Sequence, residues 1–86
     1  MDDMQRVSIS GDRLNRWQDA ADLLGDKGHT LRLETILLRG DPTLHNFQRT
    51  LNAARLTAKP AAGDAWWIAN ATVIEIAHDL ERVSHS

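Results

Sequence analysis

The chain has 86 residues, 42% hydrophobic and 26% charged, with a net charge of −2 and no cysteine. That length holds one core and excludes a second domain, and the composition is that of a folded globular chain rather than a disordered one. Without a disulfide staple, so small a core leaves a thin margin of stability that self-association or a larger partner would widen.

The start, Met1-Asp2-Asp3-Met4, is acidic and lacks the basic flank and apolar run of a signal peptide. No stretch reaches the ~18 apolar residues of a membrane span. With no cysteine to oxidise, the expectation is a cytoplasmic protein without a membrane partner. Charge is unevenly spread: residues 1–26 sum to −3, residues 27–59 to +4 and residues 60–86 to −3.

Gln5 to Ser10 alternates polar and apolar residues, which predicts an extended arm or short strand over residues 1–9. Ser10 or Asp12 is placed to cap a helix whose apolar stripe is Leu14, Trp17, Ala21 and Leu24. Gly25-Asp26-Lys27-Gly28 ends it, because glycine accepts the left-handed conformation that follows many helix termini.

Residues 30–39 admit two readings. As a helix, capped by Thr30 and closed by Gly40, they present Leu33, Ile36, Leu37 and Leu38 on one face; as a strand they present Leu31, Leu33, Thr35 and Leu37. The abundance of Leu over β-branched residues favours the helix. The strand alternative pairs residues 30–38 with residues 6–10 and makes the domain α+β.

Asp41-Pro42 reads as a helix start, with the Asp as cap and Pro in the first helical position. Leu44, Phe47, Leu51, Ala54 and Ala58 follow at helical spacing as far as Lys59-Pro60. After a short connection, Asp64 is placed to cap a last helix running to about Val83, with residues 84–86 as a frayed tail. The fold expected is an all-α bundle of three long helices, a shorter one and an extended arm, forming one domain over residues 1–86.

The last helix carries Trp66-Trp67 in a chain with one Phe and no Tyr. Adjacent helical residues point about 100° apart, so both indoles do not fit one narrow stripe. Centred on Trp66, the core stripe holds Ala69, Val73, Ile76, Ala77 and Leu80, with Glu75, Asp79 and Arg82 on the far side. Trp67, Ile74 and His78 fall on a second strip about 80° to 100° round. Either this is a central helix touching two neighbours, or the second strip is an interface.

Candidate chemistry is sparse. Glu75 and His78 match the Glu-x-x-His pair of carboxylate bundles that hold two metal ions. A full site needs a second such pair and two more glutamates, whereas only Glu34 and Glu81 remain. His29, His45, His78 and His85 lack zinc-ligand spacing. The serines lie at positions 8, 10, 84 and 86, near the ends, and no phosphate loop or nucleophile elbow is present. The expectation is a non-enzymatic protein with neither metal nor cofactor.

Two binding functions remain. The first is a protein-interaction module, a regulator or inhibitor that occupies a surface on a larger protein or homodimerises through its last helix. Trp67, Ile74 and His78 would be its anchor, with Arg55 and Lys59 as polar rim. By analogy of size alone it suits a phage or mobile-element product. The second is a nucleic-acid-binding regulator using the basic segment 27–59, with Arg32, Arg39, Arg49, Arg55 and Lys59 on the phosphates.

Overall fold

The computed structural model describes residues 3–85; Met1 and Asp2 of the expected arm and Ser86 of the expected tail lie outside the described residues. The chain forms helices α1 (Gly11–Leu23), α2 (His29–Gly40), α3 (Leu44–Ala58) and α4 (Asp64–Ser84), with a 3-10 turn at Gly25–Gly28. Helix α3 packs between α2 and α4, and α1 closes the bundle against both of those. This is the expected all-α bundle, and no strand occurs among the described residues. One apolar cluster draws on all four helices, including Trp17, Leu31, Leu38, Phe47, Leu51 and Ile76.

Helix α1 starts where Ser10 Oγ accepts the Arg13 N–H at 3.4 Å. Its buried face is Leu14, Trp17 and Ala21, and the Trp17 ring meets Phe47 of α3 with centroids 5.8 Å apart. Gly25, at φ +63°, takes the chain out of α1 in the left-handed conformation. The 3-10 turn then leads directly into α2, which begins at His29 rather than after a Thr30 cap, with no side-chain cap bond.

The rotation of α2 about its axis departs from the sequence reading. Gly28 is buried against α1 so closely that a Cβ there would collide with the Ala21 backbone. That contact fixes which side of α2 faces inward: Leu31, Thr35 and Leu38 are buried, while Leu33, Ile36 and Leu37 are exposed. A threonine thus takes the central core position. Its hydroxyl donates to the Leu31 carbonyl at 2.8 Å, so burial leaves no polar atom unsatisfied. Thr50, Thr57 and Thr72 are buried in the same way, each bonded to the carbonyl four residues earlier.

The N-terminal segment pairs with the start of α3, not with residues 30–38, which are helical. Arg6 forms an isolated antiparallel bridge with Thr43. The Val7 N–H donates to the Pro42 carbonyl at 2.9 Å, and the Leu44 and His45 N–H groups donate to the Gln5 and Asp3 carbonyls at 3.0 and 2.7 Å. The bonds from Leu44 and His45 satisfy amides that the first turn of a helix leaves without partners. The cap of α3 is Thr43, whose Oγ1 accepts the Asn46 N–H at 3.2 Å, rather than Asp41. Asp41 instead accepts from Arg6 and from the Asn46 side chain.

Asp64 is the first residue of α4 rather than its cap, which is Gly63 at φ +63°. Its carboxylate still favours the positive end of the helix dipole. Helix α4 continues through Ser84, a residue beyond the expected end.

Candidate partner-binding surface

The placement of α4 is set by a polar clasp to α1. Glu75 receives the Trp17 indole Nε1–H at 2.8 Å and two bonds from Arg16, at 3.2 and 3.0 Å. Arg13 lies 2.6 Å from the same carboxylate and 3.5 Å from Asp79 Oδ2. Asp79 is buried, at 2% exposure. Glu75 and Asp79 therefore face α1 and not the solvent side expected for them. The sequence reading centred the α4 stripe on its largest side chain, whereas the clasp turns the flank bearing Thr72, Glu75 and Asp79 inward.

The buried residues of α4 are Ala69, Thr72, Ile76, Asp79 and Val83, with Val73, Ala77 and Leu80 half-buried beside them. Their axis runs through Ile76, about 80° from Trp66 on a helical projection. Trp66, expected in the core, is 42% exposed, and Trp67 and Ile74 are 69% and 70% exposed. The two indoles meet edge-to-face with centroids 4.8 Å apart, a preferred aromatic geometry that covers part of each ring while leaving both in contact with water.

Trp67, Ala71, Ile74 and His78 follow one another at spacings of four, three and four, so they line one side of α4. All four are exposed, and the strip lies opposite the core axis. Ala71, Ile74 and His78 edge a shallow cleft of about 390 Å³ closed by Arg13 and Glu75. Contact with both α1 and α3 does not cover this side of the helix.

Arg55 and Lys59 stand apart from that strip. They flank Trp66, in a separate cleft between α3 and α4 with Ala58, Asn70 and Val73. The five residues expected to form one anchor and rim are thus divided between two neighbouring surfaces of α4, joined by the contact of the two indoles.

The cations of the basic segment are dispersed. Arg32 pairs with Asp22 of α1 at 3.2 Å, and Arg39 donates to Asn15 and Gln18 of α1. Arg49 makes two bonds to Glu34 of α2, at 3.0 and 2.8 Å. Hydrogen bonding to that carboxylate, reinforced by its charge, raises the Arg49 pKa above its ordinary value. Arg55 and Lys59 occupy the α3–α4 seam, and Arg49 also lines the groove that Arg55 enters, so the five residues divide between Arg32 and Arg39 against α1 and the other three along α3.

Sequence reasoning missed a second apolar surface. Leu33, Ile36 and Leu37 occupy an exposed face of α2, and α2 and α4 are separated by α1 and α3. The helical spacing of 33, 36 and 37 marks an apolar face, but spacing does not say whether core or solvent receives it. Glu75 and His78 do not present themselves as a metal pair: the glutamate is engaged by three donors, and His78 Nδ1 is 3.7 Å from Asp79 Oδ1. Among the described residues no group of three or more metal-ligating side chains is suitably placed, and no helix is long and apolar enough to cross a membrane. No protein-family model, curated protein or solved structure matches the chain.

Proposed function

We propose that this chain is a small, non-enzymatic protein-binding module, acting as a regulator or inhibitor by laying α4 against a larger protein. The observation that carries this reading is the exposure of Trp67 and Ile74, 69% and 70%, on one strip facing away from the core. Burying each large apolar side chain contributes roughly 1.5–3 kcal/mol, and tryptophan is prominent among binding hot spots. Leaving an indole and an isoleucine in water on the longest helix is a standing cost that a partner removes. The same strip, with helical spacing of four, three and four, also suits pairing with α4 of a second copy.

The distribution of cations favours this reading over a nucleic-acid regulator. A phosphate backbone is held by cations gathered on one face, whereas Arg32 and Arg39 lie against α1, away from Arg49, Arg55 and Lys59, and Arg32 and Arg49 already hold carboxylates of this chain. Light scattering after size exclusion, together with affinity capture from the native host, tests the proposal. A Trp67→Ala, Ile74→Ser variant that folds normally should lose capture or self-association; if both persist unchanged, α4 is not the binding surface.

A further inference from the structure

We propose that the α3–α4 seam beside Trp66 receives an amphipathic helix of a partner protein, acidic at one end and apolar along its contact face. This rests on the protein-binding reading and names the partner's chemistry. Five arginines of the bundle, Arg6, Arg13, Arg16, Arg32 and Arg49, hold carboxylates of this chain. Arg55 and Lys59 have no ion-pair partner among the described residues. They stand one helical turn apart at the C-terminal end of α3, with Lys59 as its C-cap, and with Trp66, Asn70, Val73 and Ala58 they line a cleft of about 250 Å³. In a protein of net charge −2, this places two uncommitted cations beside a half-exposed indole.

The cleft does not end there. Arg55 also lines a larger groove of about 600 Å³, floored by Leu51, Ala77 and Leu80 and bounded at the far end by Asp3 and Glu81. The seam therefore carries the cations Arg55 and Lys59 at the Trp66 end, an apolar floor flanked by Gln48, Asn52 and an Arg49 already held by Glu34, and the carboxylates Asp3 and Glu81 with His45 beside the start of α3. From Lys59 back to His45 on α3 it spans about 20 Å, the length of three to four turns of helix. An amphipathic helix binds by laying its apolar face into an apolar groove, whose charges must complement the occupant's.

That polarity selects the occupant. Carboxylates of the partner lie over Arg55 and Lys59, and an apolar stripe lies over Leu51, Ala77 and Leu80. A nucleic-acid strand is uniformly anionic, so its phosphates would approach Asp3 and Glu81 at the far end. A uniformly basic helix would meet Arg55 and Lys59.

Backbone-amide NMR of the isotope-labelled full chain tests this with synthetic probes at low and high salt. The first probe is a Leu/Glu amphipathic helix with its glutamates at one end. The others are the same peptide with Glu replaced by Lys, the same peptide with Leu replaced by Gln, and single-stranded oligothymidylate. The Leu/Glu peptide should shift signals of Arg55, Lys59, Trp66 and Asn70 and weaken as salt rises; the other probes should not bind there. Arg55→Glu with Lys59→Glu changes two exposed side chains that have no ion-pair partner among the described residues, and should weaken the peptide at least about tenfold while the protein stays folded. Failure of the Leu/Glu peptide to bind at low salt, equal binding to the charge-reversed protein, or equal binding of the Lys peptide or the oligonucleotide overturns the proposal. If host-partner capture survives the charge reversal but is lost in the Trp67, Ile74 variant, the module reading stands and the acidic-helix assignment falls.

Discussion

The indole Nε1–H of Trp17, a side chain almost wholly removed from water, is bonded at 2.8 Å to Glu75, 58 residues further along the chain. Glu75 has two tasks: it satisfies a buried donor and it accepts Arg13 and Arg16. Replacing it with Ala leaves the indole without an acceptor and frees two guanidinium groups. The expected loss is about 2–3 kcal/mol of unfolding free energy in urea titration. Glu75→Gln keeps an acceptor for the indole and should lose about half as much; equal losses would mean that the charge alone holds α1 to α4.

The two arginines of the clasp are not equivalent. Arg13 is the arginine that approaches buried Asp79, at 3.5 Å, and among the described residues Asp79 Oδ2 has no hydrogen-bond partner. Removing Arg13 strands a buried carboxylate, a change that costs about 3 kcal/mol when a buried pair is broken. Arg16 is more exposed, and Glu75 keeps two other donors without it, so Arg16→Ala should cost at most about 1 kcal/mol. Urea titrations of the two single variants decide the order, and a larger loss for Arg16 would contradict it.

Gly28→Ala tests the closest approach in the bundle. The added methyl meets the Ala21 backbone, which belongs to a helix and has little room to retreat. Overpacking of this kind costs about 1–3 kcal/mol, despite the higher helical propensity of alanine. Gly40→Ala is the control: a Cβ there meets nothing within 4 Å, so thermal unfolding should separate the two variants clearly.

What the sequence made legible follows from where hydrophobicity alone decides. The stripes of α1 and α3, with Leu14, Trp17, Ala21, Phe47 and Leu51, are buried as their spacing requires. So is the choice of helix over strand for residues 30–38. The rotations of α2 and α4 were not legible, because non-apolar contacts set them. A glycine against Ala21 turns Thr35 inward in place of Leu33 and Ile36, and a carboxylate clasp turns Asp79 inward in place of Trp66. Glu75 and Asp79 resembled a solvated face because their cationic partners lie some sixty residues away on α1. The apolar anchor of the candidate surface, Trp67 with Ile74, was legible from spacing, while the transfer of Arg55 and Lys59 to Trp66 depended on how α3 meets α4.

The rotation of α2 has its own test in two adjacent leucines. Leu38 is fully buried and Leu37 is 42% exposed. Leu38→Ala should cost about 2–5 kcal/mol through lost burial and a cavity. Leu37→Ala should cost well under about 1 kcal/mol, because its side chain is already partly hydrated. Chemical denaturation of the pair gives the result directly; similar losses would place both leucines in the core and restore the face read from spacing.

The three tryptophans should differ in their access to solvent. Trp17 is 1% exposed and hydrogen-bonded to Glu75, whereas Trp66 and Trp67 lie on the outside of α4. Acrylamide should therefore quench the larger share of the fluorescence and leave a protected component from Trp17. In a Trp66→Phe, Trp67→Phe variant only that component should remain, with little change in stability, because neither indole holds the core together. If instead the double variant loses stability on the scale of a large-to-small core substitution, about 3–5 kcal/mol, the indoles are structural and α4 has no free apolar strip. A partner seated on the strip should protect Trp67 from acrylamide, whereas a helix in the α3–α4 seam should protect Trp66. Single Trp66→Phe and Trp67→Phe variants thus separate the two surfaces: the protection gained on binding vanishes with whichever indole the partner covers.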